Sequence, residues 1–89
     1  MPRYVVERMF PEGLNLPAGA EGNEIRQKIV RNNASVGVTW LFSYVSDDRK
    51  KTYCIYEGPN PEAIHEAGKK SGVPIDTITE VTELTPYEY

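Results

Sequence analysis

Apolar and polar positions along the chain fall into four stretches with the period of two of an extended strand and two with the period of a helix. Residues 3–10, RYVVERMF, mix β-branched and aromatic residues with isolated charges and stop at the turn-forming Pro11-Glu-Gly13. In a strand, Tyr4, Val6, Arg8 and Phe10 share one side and Val5, Glu7 and Met9 the other. One of the two charges must therefore enter whichever face is covered, and it needs a partner there. Residues 14–22, LNLPAGAEG, have no period and read as a surface connection. A helix follows over 23–33, with Asn23 as its cap, Glu24 in its first turn and a narrow stripe of Ile25 and Ile29.

The stretch 36–57, VGVTWLFSYVSDDRKKTYCIYE, holds the single Trp and the single Cys, and the remaining elements are expected to fold around it. Val36, Val38, Trp40, Phe42 and Tyr44 share one parity, while Leu41 and Val45 add apolar groups to the other. A strand over 36–46, a polar turn and a strand over 51–57 make a hairpin. Asn60-Pro61-Glu62 then begins a helix over 60–71, which ends on Lys69, Lys70 and Gly72 with Pro74 just beyond. Its stripe of Ala63, Ile64, Ala67 and Gly68 is small enough for a close approach to a sheet. A last strand over 76–84 leads into a tail at 86–89.

Strand, helix, strand, strand, helix, strand is the split βαβ order. It predicts one α+β domain over 1–89: a ferredoxin-like, four-stranded antiparallel sheet with both helices on one face. The core side is expected to hold Ile25, Ile29, Ile64 and Ala67. The second sheet face is left bare. If it carries Trp40, Phe42 and Tyr44, it presents an aromatic patch larger than a monomer usually exposes, and a homodimer packed sheet against sheet covers it.

Composition narrows the function more than it names it. Eighty-nine residues bury a small core, which favours self-association. Thirteen acidic and ten basic residues are spread along the chain, so no block of one sign points to nucleic acid or a membrane surface. The N-terminus lacks the basic start and apolar run of a signal peptide, and no apolar stretch is long enough to span a bilayer, so a cytoplasmic protein is expected. One cysteine forms no internal disulfide and builds no thiolate zinc site alone.

Familiar uses of the fold can be tested on residues. Lys51-Thr-Tyr-Cys-Ile offers only one of the aromatics an RNA-recognition strand needs, and neither a C-x-x-C copper loop nor a glycine-rich anion loop with an Arg occurs. Glu62 and His65 have the Glu-x-x-His spacing of carboxylate metal sites, but such sites need two copies of it. Glu62 is otherwise accounted for by the helix dipole, and His65, turned about 100° from Ile64, by the edge of the buried stripe. Cys54 is a soft metal ligand if Glu7, Glu57 or His65 comes near, and otherwise a small buried hydrophobe. Tyr44, Tyr53 and Tyr56 could orient a ligand in a sheet-lined cavity, or be interface and core aromatics. No nucleophile and base can be paired, so no catalytic residue is nominated.

These same segments resemble a small bacterial family, frequent in actinobacteria, of a domain of unknown function with nickel-binding members. The resemblance is carried by Tyr4-Val-Val-Glu-Arg8 with Phe10-Pro-Glu-Gly13, Val38-Thr-Trp40 with Ser43-Tyr-Val-Ser46, Lys51-Thr-Tyr-Cys-Ile-Tyr-Glu57, Pro61-Glu-Ala-Ile64 and Ile78-Thr-Glu-Val81. It implies a ferredoxin-like fold paired into a dimeric α/β barrel, and nickel as the cofactor. Members often carry His where this chain has Phe42, and if that His is a ligand in the family, it is lost here. Nickel would then fall to Cys54 and His65 with Glu7 and Glu57 as oxygen donors. The expected function is a small homodimeric binding protein for nickel or another divalent transition metal. The alternatives are a small-molecule binder using a barrel cavity lined by Trp40, Tyr44 and Tyr56, or a cofactor-free enzyme of the dimeric-barrel type.

Overall fold

Strand β1 (Arg3–Met9) alternates buried and part-exposed residues along its length, and β3 (Lys51–Glu57) repeats the alternation. The two pair antiparallel with Val6 opposite Cys54, Tyr4 opposite Tyr56 and Arg8 opposite Thr52, so their buried residues lie on one sheet face. The computed structural model describes residues 1–15, 19–73 and 75–87. The remaining elements are helix α1 (Gly19–Ala34), strand β2 (Thr39–Val45), helix α2 (Pro61–Ser71) and strand β4 (Thr77–Val81). The sheet order is β2-β3-β1-β4, with every pair antiparallel. That order and connectivity are those of the ferredoxin-like α+β fold, as the sequence predicts. The part of the expected surface connection at residues 16–18, the proline at 74 and the end of the tail at 88–89 lie outside the described residues.

Helix α2 follows its sequence signals closely. The Asn60 side chain accepts a hydrogen bond from the Ala63 N–H at 2.9 Å, and Pro61 occupies the first turn. At the other end Gly72 adopts φ 68°, and its N–H reaches the Gly68 and Lys69 carbonyls. Ile64 and Ala67 are buried with Tyr4, Val6, Val38 and Tyr56 in one cluster. The seat is tight: a Cβ on Gly58 would stand 3.0 Å from Ile64 Cδ1, and one on Gly68 2.6 Å from Ile75 Cδ1.

Helix α1 departs from expectation. It begins at Gly19, four residues before the expected Asn23 cap, because Ala20 and Glu21 are good helix formers and continue the turn backward. Its C-terminal end is held firmly. Val38 N–H donates to the Asn33 carbonyl at 2.9 Å, and Asn32 Nδ2 reaches Ser71 Oγ at 3.3 Å and the Lys70 carbonyl at 3.4 Å. Its N-terminal half stands off the sheet. Ile25, expected in the core, is 40% exposed, and Ile29 is only part-buried.

Strand β2 is shorter than the expected 36–46, since Val36, Gly37 and Val38 turn off the end of α1 through hydrogen bonds to Asn33 and Ala34, with Gly37 at φ 76°. It also carries a β-bulge. Trp40 is opposite Tyr56 and Phe42 is opposite Ile55, so Leu41 is an extra residue and the parity reverses there. Trp40 stays on the helix side with Val38, whereas Phe42 and Tyr44 move to the bare face. The single aromatic face of Trp40, Phe42 and Tyr44 is thereby divided. β4 keeps only 77–81 of the expected 76–84, and Asp76 instead caps β1, its carboxylate accepting from the Met9 N–H at 2.7 Å.

The two helices should differ in what they contribute. Ile64→Ala opens a hole in the packed cluster and should cost about 3 kcal/mol. Ile25→Ala should cost less than about 1 kcal/mol, because few atoms pack against that side chain. Urea unfolding of both variants, read as midpoint shifts at constant slope, measures the difference. Equal costs would mean that α1 packs as closely as α2.

Candidate functional site

Between the standing half of α1 and the helix-side face of the sheet lies a cavity of about 280 Å³. Ile25, Arg26 and Ile29 roof it from α1, while Arg8, Thr52, Cys54 and Tyr56 form its floor from β1 and β3. Trp40, Ser43 and Val45 wall it from β2, on the helix side because of the bulge. Phe10, Leu14 and Val73 close one end. Apart from a few polar atoms the lining is hydrocarbon and ring surface, the usual make-up of a small-molecule site.

The polar atoms sit at defined places. Arg8 is 5% exposed, carried inward by sharing the parity of Tyr4 and Val6. Its Nη1 donates to the Tyr56 hydroxyl at 3.2 Å, and its guanidinium carbon lies 5.5 Å from the centre of the Tyr56 ring. Arg8 Nε is buried and has no hydrogen-bond partner among the described residues. Burial pushes the Tyr56 phenol above its ordinary pKa, with Arg8 acting in the opposite direction, so Tyr56 is a neutral hydroxyl at physiological pH. Trp40 Nε1 donates to Ser43 Oγ at 2.8 Å, and Cys54 Sγ lies 3.8 Å from Thr52 Oγ1. Among the described lining residues there is neither an imidazole nor a carboxylate.

The residues expected from sequence are distributed over three places. Trp40, Tyr56 and Cys54 line this cavity. Tyr44 does not: the bulge turns it to the bare face, where it is 66% exposed and meets Phe42 edge-on at 5.5 Å between ring centres. Glu7 and Glu57 also lie on that face, engaged by cations. Glu7 Oε2 accepts from Thr77 Oγ1 at 2.9 Å and Oε1 lies 3.3 Å from Lys51 Nζ, while Glu57 pairs with Arg3 at 3.2 Å. The Thr77 hydrogen bond and then Lys51 hold the Glu7 carboxyl below its ordinary pKa. His65 is exposed on α2, bordering a shallow depression with Lys69 and Gly72. Cys54, His65, Glu7 and Glu57 are thus not brought together, and among the described residues no three His, Cys, Asp or Glu side chains are grouped to hold a metal ion.

Arg8, Arg26, Ser43 and Thr52 were not singled out by their chemistry. For Arg8 a signal existed, since it is the charge on the apolar parity of β1. Arg26 carried none, because its role depends on how far α1 stands from the sheet.

Comparison with curated proteins finds no similar sequence. Among solved structures, the crystal structure of SCO4226 from Streptomyces coelicolor A3(2) superposes with a TM-score of 0.72 at 18% identity, covering 93% of this chain and 99% of that one. At that identity the likeness establishes the fold. No helix among the described residues is long and apolar enough to cross a membrane. The family described as nickel responsive protein SCO4226-like matches residues 4–81, nearly the whole chain from β1 to β4, and the protein belongs to that family.

Proposed function

We propose that this family member is a small homodimeric binding protein whose binding element is the cavity beneath α1, and that its ligand is a small organic molecule. The observation that carries the reading is the cavity itself, about 280 Å³ of largely apolar space roofed by a helix and walled by the sheet. Ligand pockets of this make-up bury most of an apolar ligand's surface, which supplies the driving force at roughly 25 cal/mol per Å² of apolar surface removed from water. Trp40 lies in the wall and is the sole tryptophan, so its emission reports occupancy. Titration with toluene should shift Trp40 emission saturably, and Ile29→Phe, which fills the space from the roof, should abolish the response. An emission spectrum indifferent to toluene, phenylacetamide and phenylacetate alike would remove the cavity reading.

Nickel is the second reading, supported by the family description. The donor set of one chain does not fit it: Cys54 is buried on the helix side, His65 is exposed on α2, and both carboxylates are paired on the opposite face. A second copy packed on the bare face would add only oxygen donors there, which suit harder cations than nickel. Calorimetric titration of tag-free protein with nickel should therefore show no saturable site that depends on Cys54 or His65. Saturable binding lost in Cys54→Ala or His65→Ala would establish the nickel reading instead.

The homodimer rests on the bare sheet face. Phe42, 48% exposed, and Tyr44 lie there beside Ile55 and Tyr53. The charges on that face are paired within the chain, Glu7 with Lys51 and Arg3 with Glu57, so a second copy meets an apolar centre without net repulsion. Sedimentation equilibrium should give twice the 10.1 kDa of one chain, and Tyr44→Glu should return the monomer. A wild-type monomer at micromolar concentration would refute the pairing.

A further inference from the structure

We propose that the cavity beneath α1 selects an organic monoanion, a carboxylate with an apolar body, and that Arg8 is the residue that binds its head group. The inference rests on the cavity reading above and adds the charge of the ligand. Arg8 is almost wholly buried, and its guanidinium is a cation with five N–H donors and no acceptor. A buried charge is tolerated when an opposite charge or a full set of hydrogen bonds compensates it. Here the compensation is incomplete: Tyr56 offers one neutral hydroxyl and a ring face, and Arg8 Nε is left without a partner among the described residues.

The surroundings give the missing group a sign. No acidic residue is found among the described residues that line the cavity, and a second basic residue, Arg26, belongs to its roof. Neither Arg8 nor Arg26 makes an ion pair among the described residues. An apolar space lined by two basic residues and no acidic one favours an anion inside it, because the low local dielectric strengthens the attraction. A carboxylate also matches the donor geometry of a guanidinium, which presents parallel N–H groups.

A neutral donor also lines the space. The Tyr56 hydroxyl is engaged by Arg8 and by Cys54, whereas the Ser43 oxygen accepts from Trp40 Nε1, which leaves the Ser43 hydroxyl proton to donate. A phosphate monoester would bring nearly two charges and three acceptor oxygens to a wall that is mostly hydrocarbon, a poorer match than one carboxylate. The ring of Trp40 and the side chains of Ile25, Ile29 and Val45 receive the apolar body.

The test compares phenylacetate with its neutral isostere phenylacetamide by Trp40 fluorescence, with inorganic phosphate as a third probe. The wild type should bind phenylacetate at least about tenfold more tightly than phenylacetamide and should show no saturable response to phosphate. Arg8→Met, of similar length and without charge, should remove the preference while still binding the amide. Arg26→Met, at the roof, should weaken acid binding less than Arg8→Met does. Because the acid-to-amide comparison is made on the wild type, it stands even if Arg8→Met fails to fold. Equal affinity for acid and amide would overturn the inference and leave the cavity reading intact; tighter binding of phosphate than of phenylacetate would overturn the monoanion assignment. A wild type that responds to toluene but to neither phenyl compound overturns the inference alone, and one that responds to none of the probes overturns both readings.

Discussion

The seating of α2 on the sheet is the constraint from which the rest of the structure follows. Ile64 is 1% exposed and wedged against Val38 and the backbone of Gly58, and Gly68 lets the helix approach Ile75 closely. A sheet face of this width has one element packed flat upon it and therefore a defined position for the other. Helix α1 is tied to α2 at its C-terminal end through Asn32 with Ser71 and through Lys70 Nζ with Ser35 Oγ at 3.0 Å. It is tied to the start of β2 through Asn33 and Val38. Among the described residues no side-chain hydrogen bond or ion pair ties its first half to the sheet, although Gly22 in that half is buried. The helix is thus a beam fixed at one end, and the cavity is the space beneath its other end.

That space would be a simple packing defect if its walls were only apolar, since interiors close around voids where they can. Arg8 gives a reason why this one persists. Arg8 is already buried on the inner face of β1 with its Nε unpartnered, and packing Ile25 or Ile29 onto it would shut out any polar partner for that donor, whereas an open space beside it admits one. The charge that limits the core is then the same group to which we assign the proposed selectivity of the cavity.

Much of this was legible in the residues. Alternation located β1 and β3, the cap residues Asn60 and Gly72 located α2, and the parity of Arg8 with Tyr4 and Val6 already placed a charge on the covered face. The early start of α1 was hidden because Gly19 and Gly22 read as loop residues, although Gly22 is buried inside the helix. The bulge at Leu41 was hidden for a different reason: apolar residues lie on both parities of β2, so a shift of one residue leaves no mark in the pattern. The distance between α1 and the sheet is set by tertiary contacts at one end of the helix, and no local pattern encodes it. Trp40 and Tyr56 could be named from sequence as aromatics lining a cavity, but the helix side as its place could not.

The bulge also separates two uses of one strand. Before it, Val38 and Trp40 belong to the core and the cavity wall; after it, Phe42 and Tyr44 belong to the bare face, while Ser43 and Val45 return to the cavity. Without the extra residue the alternation would carry Phe42 and Tyr44 to the side of Trp40 and fill the space beneath α1 with their rings. The sheet would keep a more polar outer face and lose the cavity. One inserted residue therefore accounts for both an open pocket on the helix side and an aromatic patch on the other, so the proposed binding of a small molecule and the proposed pairing with a second copy would use opposite faces of one sheet.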